Sequence, residues 1–246
     1  MKILIVIPAR MASTRFPNKP MALLNSKPMI QHVWERAKES NLGRVLVACC
    51  EEDVANCIRS AGGEAILTDP NLPSGTDRVY AAIENDDDFL MNDTIINLQG
   101  DMPLIDAFSI GQINKTIIQG YDMSTLVTSF SSKNEKQNKN ITKAKIKWIK
   151  KEKIGEAIDF YKNYGLSDDK NIYHHVGIYG FIPSSLKRFV HLQQTEREKD
   201  LKLEQMRALD NGMTIGVGYV ENIPISVDTK EDLMQVERLI NKNHEQ

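Results

Sequence analysis

The chain has 246 residues, 41% of them hydrophobic, with 31 Lys and Arg against 33 Asp and Glu. This is the make-up of a globular protein with a real core, and at ~150 residues per domain it reads as one large domain. A formal net charge of −2 excludes nucleic acid or an anionic membrane surface as the main partner, so any phosphate binding must be local. Residues 2–7 (Lys-Ile-Leu-Ile-Val-Ile) predict a fully buried, central parallel strand, because a short β-branched run bounded by Pro8 has no polar face. A polar loop follows. Ser26 is a candidate cap for a helix whose Met29, Val33 and Ala37 share one face and which stops at Gly43. The alternation continues with a strand at Val45–Ala48, a helix over 51–61 ended by Gly62-Gly63, a strand at Ala65–Leu67, a helix over 76–85 and a strand at Thr94–Leu98. Repeated βα units predict an α/β fold, a doubly wound and mostly parallel sheet with ligands at the strand carboxyl ends. The loops that matter are then 8–20, 49–53, 68–78 and 99–106.

The second half has a different texture and predicts a smaller antiparallel elaboration. Lys143 to Trp148 alternates polar and apolar, which puts Ala144, Ile146 and Trp148 on one face of an edge or antiparallel strand. The nine lysines against two glutamates of residues 133–153 are read as a solvated face that guards such an edge. Further strands are expected at His174–Phe181 and Thr214–Val220, with a helix over 198–211 ending at Gly212. The last helix begins at Thr229, where Asp232 completes a capping box, and continues through Leu233, Val236 and Ile240. The apolar run Ile3–Ile7 is far short of the ~20 residues that span a bilayer, and no leader pattern precedes a cleavage site, so a cytoplasmic protein is expected. Cys49, Cys50 and Cys57 contain no Cys-x-x-Cys pair, which argues against a disulfide framework or a structural zinc; Cys49 reads as a small buried hydrophobe.

Three segments suggest chemistry. Loop 8–20 holds Arg10, Arg15 and Lys19 with no anion and no glycine, so neither a dinucleotide-binding turn nor a Gly-Lys-Ser/Thr phosphate loop forms there. Two guanidinium forks and an ammonium at a strand's carboxyl end suit a triphosphate. Asn97-Leu98-Gln99-Gly100-Asp101 ends an apolar strand in a carboxylate suited to Mg²⁺, with Gly100 leaving room for a close approach. Val227-Asp228-Thr229 offers a second acid, which could equally serve only as a helix-start charge.

Taken together, Pro8-Ala-Arg-x-x-Ser-x-Arg-x-Pro-x-Lys-Pro20, Ser74-Gly-Thr-Asp-Arg78, Asn97-x-Gln-Gly-Asp101, His175-x-Gly-Ile-Tyr179, Leu203-Glu-Gln-x-Arg-x-Leu209 and Val227-Asp-Thr-x-Glu-Asp-Leu233 occur in one family's order and spacing. The chain resembles the 3-deoxy-manno-octulosonate (Kdo) cytidylyltransferases over nearly its whole length. The resemblance implies a nucleotidyltransferase that uses CTP, a 2-keto-3-deoxy sugar acid and Mg²⁺ to make the CMP-sugar and pyrophosphate for lipopolysaccharide synthesis. It implies nucleotide binding by Pro8, Ala9, Arg10, Arg15, Lys19, Ser74, Gly75 and Thr76, and catalysis by Arg10, Lys19, Asp101 and Asp228, with the two aspartates as metal ligands. Arg78, Gln99, Lys162, His175, Tyr179, Glu204 and Gln205 fall to the sugar acid. In-line attack on an α-phosphate needs charge neutralisation more than covalent catalysis, and no dedicated side-chain base is expected.

On this reading 1–246 is one nucleotidyltransferase domain. Its nucleotide-binding half ends near 130, a sugar-binding and dimerising part spans about 131–225, and 226–246 close it with the metal-ligand loop and last helix. A homodimer is expected. The chain departs from the family at Cys49-Cys50, where Thr-Asp is usual, at Met102, where an acid is usual, and at Asp159-Phe160-Tyr161-Lys162, in place of Tyr-Phe-Ser-Arg. An ammonium at 162 lacks the arginine fork, so an amino-substituted Kdo or a nonulosonic acid is the competing acceptor, and a non-catalytic nucleotide-binding regulator is the competing function.

Overall fold

The computed structural model describes residues 2–12, 16–86, 88, 91–150, 153–163, 170–222 and 225–244. In chain order it contains β1 (Ile3–Pro8), the short strands β2 (Leu23–Leu24) and β3 (Lys27–Pro28), α1 (Met29–Glu39), β4 (Arg44–Cys49), α2 (Glu52–Ser60), β5 (Glu64–Leu67), α3 (Gly75–Ile83), β6 (Thr94–Asn97), α4 (Ala107–Ile117), β7 (Met123–Thr128), α5 (Lys133–Gln137), β8 (Lys143–Lys150), β9 (Ile154–Tyr161), β10 (Ile172–Phe181), α6 (Pro183–His191), α7 (Glu196–Leu201), α8 (Gln205–Asp210), β11 (Ile215–Tyr219) and α9 (Lys230–His244). The fold is mixed α/β and divides into two compact units, one of residues 1–92, 97–110 and 224–246, the other of 93–96 and 111–223. Among the described residues no helix is long and apolar enough to cross a membrane.

The first unit realises the βα alternation. Its strands run parallel in the order β5-β4-β1, and every residue of β1 is buried, as expected of a strand covered on both faces. Helix α1 buries Met29, Ile30, Val33, Trp34 and Ala37 along one stripe. It begins after Pro28, not at Ser26. Asn25 and Ser26 have φ of 47° and 65° and connect β2 to β3 as a two-residue hairpin loop, a turn that needs positive φ at both positions. A local polar residue was therefore spent on a hairpin, and α1 has no side-chain cap. Phe16, Leu24 and Met29 pack with Val227 and Val236 in a cluster of their own, which fastens loop 8–20 and the segment after it to helix α9.

The second unit differs from the expected minor elaboration on a parallel sheet. Its strand order is β6-β10-β7-β11-β9-β8, and β8 pairs again with β10, so five strands close into a barrel-like ring. Only β11 and β7 in that ring are parallel; β10 is antiparallel to β7 and β8, and β9 to β11 and β8. Ring closure removes the free edge that β8 was expected to guard. Lys143 is buried and its ammonium donates to the carbonyls of Asn138, Ile141 (2.8 Å) and Lys162 (3.0 Å), tying β8 to the end of β9. Burial and the charge of Lys162 push its pKa down.

The helix expected over 198–211 is broken. Lys202 adopts φ 54° and ends α7, and α8 starts three residues later, at Gln205. Glu198 and Arg207 explain the break. On one continuous helix, nine residues would place them ~180° apart, whereas here they form a buried fork at 2.7 and 2.9 Å, with the guanidinium 4.6 Å above the Phe189 ring.

Candidate active site

In the first unit, β1 delivers the chain into loop 8–20, whose backbone is pinned at both ends. Ala9 N–H donates to Ala48 O (2.8 Å) and Asn18 N–H to Met11 O (3.1 Å), while Met11 N–H donates to the carboxylate of Glu51 (2.9 Å). Asn18, at φ 57°, turns the chain into a 3-10 turn over Lys19–Met21. Lys19 is thereby aimed at two carboxylates, with its ammonium 2.7 Å from Asp101 and 3.4 Å from Asp228. Burial pulls its pKa down, but the two aspartates outweigh burial and hold it above the ordinary lysine value, so it stays a cation.

The two aspartates meet because their backbones do, Val227 N–H donating to Asp101 O at 2.9 Å. Asp228 is spared the duty of capping α9. Asp232 takes that role, accepting from the N–H groups of Asp228 (3.0 Å) and Thr229 (2.8 Å) while Thr229 Oγ1 accepts from Asp232 N–H (3.2 Å). Gly100 serves the chain's own packing: a side-chain carbon there would stand 3.0 Å from Pro8 O and 3.1 Å from Ile30 Cδ1.

Ser74 caps α3, its hydroxyl accepting from Asp77 N–H and donating to the Asp77 carboxylate at 2.6 Å. Asn97 was not anticipated as a site residue. It is fully buried, donates to Thr76 Oγ1 (2.9 Å) and accepts from Gln99 Nε2 (2.9 Å), and so joins the Ser-Gly-Thr and Gln-Gly-Asp segments. The period of two along a strand, which puts Asn97 and Gln99 on one face, was the available signal. Arg78 is buried, donating to Thr68 Oγ1 (2.5 Å) and Asp69 O (3.1 Å). It and the exposed Arg10 both act on the thiol of Cys50. Burial, followed by the hydrogen bond to Glu51, nevertheless raises the Cys50 pKa, and burial pushes Cys49 up to about 11, so neither is a thiolate nucleophile. Arg15 lies outside the described residues.

The remaining predicted residues belong to the second unit. His175 is buried on β10 beside Phe160 (ring centroids 5.0 Å, 71° apart) and Tyr179 (5.9 Å). Burial, then the charges of His174 and Lys162, push its pKa down to about 3, so its imidazole is neutral. Tyr179 donates to Gln205 Oε1 at 3.0 Å; burial and the nearby charge of Glu204 hold its phenol well above the usual range. Gln205 Nε2 is a buried donor with no hydrogen-bond partner. A side-chain carbon at Gly177 would meet no atom within 4 Å, so there is open space beside the backbone at Gly177. An unsatisfied buried donor is what a polar ligand would complete.

Among the described residues no three His, Cys, Asp or Glu side chains form a metal cluster. A two-carboxylate set nonetheless fits Mg²⁺, which usually takes one or two protein carboxylates and completes its shell with water and substrate phosphates.

Comparison with known proteins identifies the family. A family model described as cytidylyltransferase matches residues 4–215. The chain is 41% identical to the 3-deoxy-manno-octulosonate cytidylyltransferase of Paramagnetospirillum magneticum, over 96% of this chain and 97% of that one. It is 43% identical to the enzyme of the same name from Parvibaculum lavamentivorans, over 94% and 89%. Its fold superposes on CMP:2-keto-3-deoxy-manno-octonic acid synthetase, solved in complex with CTP, with a TM-score of 0.86, 30% identity and coverage of 99% and 100%.

Proposed function

The chain belongs to the cytidylyltransferase family, and from that premise we propose that it transfers CMP from CTP to a 2-keto-3-deoxy sugar acid, Kdo, releasing pyrophosphate. The observation that carries the reading is Lys19 held between Asp101 and Asp228 at the end of a loop with no phosphate-binding glycines. The anomeric hydroxyl oxygen of the acid attacks the α-phosphorus of CTP. The bond from that phosphorus to the bridging oxygen breaks, pyrophosphate leaves and the hydroxyl proton is released.

Asp101 and Asp228 would hold Mg²⁺, which neutralises phosphate charge and makes the hydroxyl more acidic when bound. Lys19, kept cationic by the same aspartates, donates to the phosphate oxygens whose charge grows as the bond breaks, and Arg10 and Arg15 add guanidinium donors. Asn97 links Thr76, on the nucleoside side, with Gln99, which together with Arg78 is assigned to the sugar acid. The neutral imidazole of His175, the phenol of Tyr179 and the spare amide donor of Gln205 suit hydroxyls of the sugar acid, and Lys162 and Glu204 complete the polar set around it.

The proposal includes a cytoplasmic setting, where CTP is drawn on, and a homodimer formed through the second half, where Ile149 and Ile158 are left 54% and 45% exposed. The test is pyrophosphate release with Mg²⁺ from each of the four ribonucleoside triphosphates, paired with Kdo, 8-amino-Kdo and N-acetylneuraminate. Turnover is expected with CTP and Kdo, by a particle of twice the 27.9 kDa chain mass. CTP binding without release from any acid would overturn the reading.

A further inference from the structure

Thr125, on β7, is buried and faces β10. Its hydroxyl oxygen lies 3.1 Å from Val176 O and 2.9 Å from Ile178 O, and 2.9 Å from Nε2 of His175. The two carbonyls belong to the stretch where the pairing of β10 with β7 shifts register, so the usual ladder is interrupted beside them. A hydroxyl has one proton and carbonyl oxygens only accept. Turning that proton towards the imidazole would set the hydroxyl's lone pairs against two buried carbonyls; turned towards the carbonyls, it is shared between them and removes that repulsion. The hydroxyl is therefore an acceptor towards His175.

We propose that Thr125 is a positioning residue that locks His175 in the tautomer protonated at Nε2, so that His175 offers the acid substrate the lone pair of Nδ1, an acceptor for a sugar hydroxyl and not a partner for its carboxylate. The inference rests on the proposed function for the identity of the ligand, but the lock is a property of the free protein. The neutrality of His175 agrees with it, since an imidazolium would carry protons on both nitrogens. Gln205 supplies the complement. Tyr179 occupies its oxygen, which leaves Nε2, buried and unpartnered, as a donor. His175 thus accepts and Gln205 donates, a pairing that reads the hydroxyls of a polyhydroxylated acid and does not need a formal charge.

The experiment uses the intact protein labelled with ¹⁵N-histidine, with His175→Gln assigning the resonance. Wild type and Thr125→Ser are expected to show a protonated Nε2 and a bare Nδ1, whereas Thr125→Val loses that fixed pattern. In kinetics, Thr125→Val should raise KM for Kdo roughly fivefold to tenfold with little change in KM for CTP, and Thr125→Ser should restore it. A wild-type spectrum with the proton on Nδ1 overturns the proposal even if Thr125→Val fails to fold. An unchanged KM for Kdo in a folded Thr125→Val overturns the link to substrate. If the wild type shows the Nε2–H tautomer yet turns over no 2-keto acid, the proposed function fails and the acceptor role fails with it, while the spectrum still records the lock.

Discussion

At the scale of single residues, the first unit solves a charge problem. Asp101 and Asp228 approach one another, and like charges so placed destabilise a fold unless a cation sits between them. Lys19 is that cation, and it has a second duty when substrate binds, because a triphosphate brings more negative charge to the same place. Lys19→Met should remove both roles. We expect a folded protein whose kcat/KM for CTP falls by on the order of 10²-fold or more, the cost typical of losing one aimed donor at a developing charge. Lys19→Arg should recover part of the loss, since it restores charge without the compact geometry of an ammonium. Steady-state pyrophosphate release checks this, and near-normal rates in Lys19→Met would remove Lys19 from the mechanism. The meeting of Lys19 with Asp101 and Asp228 was foreshadowed in the sequence, because a cation-rich loop and an acid at a strand end are local patterns, whereas Asp228 alone could equally have been a helix-start charge. Asn97 and Thr125 were not picked out, since a buried amide or hydroxyl gains its meaning from partners 21 and 50 residues away.

At the scale of elements, the start of α9 shows how a cap sets a catalytic group. Thr229 and Asp232 bond reciprocally, and Asp232 also fixes the N–H of Asp228. Thr229→Ala should cost about 1 kcal/mol of stability, as lost caps do. If the cap also positions Asp228, turnover should fall by roughly tenfold at saturating CTP and acid, with part of the loss recovered at high Mg²⁺. Denaturant unfolding and kcat measured on the same variant separate the two effects; lost stability with full turnover would confine the cap to folding. This capping box was readable from sequence, as were β1, β4, β5 and the helices between them, because each βα step carries its own apolar period and its own stop. Ser26 was misread because a cap and a hairpin turn favour the same small polar residues. The break at Lys202 was hidden because the period of Leu203, Met206 and Leu209 continues past it, and only the Glu198–Arg207 fork reveals that α7 and α8 must separate. Ring closure in the second unit was hidden for a related reason: β8 returns to pair with β10 across a register that no local pattern encodes.

At the scale of the whole molecule, the near balance of 31 cations and 33 anions says little about where charge is tolerated, and the second unit makes the point with an uncharged base. His175 lies buried with His174 and Lys162 as its charged neighbours, and all three influences, burial foremost, hold its pKa at about 3 against an ordinary 6.5. Below pH 6.5 the unfolded chain takes up a proton on this histidine, whereas the folded chain takes none until about pH 3. The unfolded state therefore binds more protons across that window, and stability is lost as pH falls through it. Between roughly pH 6 and pH 4 this one group should contribute a slope of about 1.4 kcal/mol per pH unit. His175→Gln keeps a hydrogen-bonding side chain and removes the titration. The variant is expected to be less stable than wild type at pH 7, yet its stability should decline less steeply towards pH 4, so the two curves converge on acidification. Urea unfolding at half-unit intervals from pH 7 to pH 4 measures both slopes. Parallel curves would mean that His175 becomes protonated in the folded protein well above pH 3, and the neutral imidazole on which the Thr125 lock depends would then be lost at mildly acidic pH.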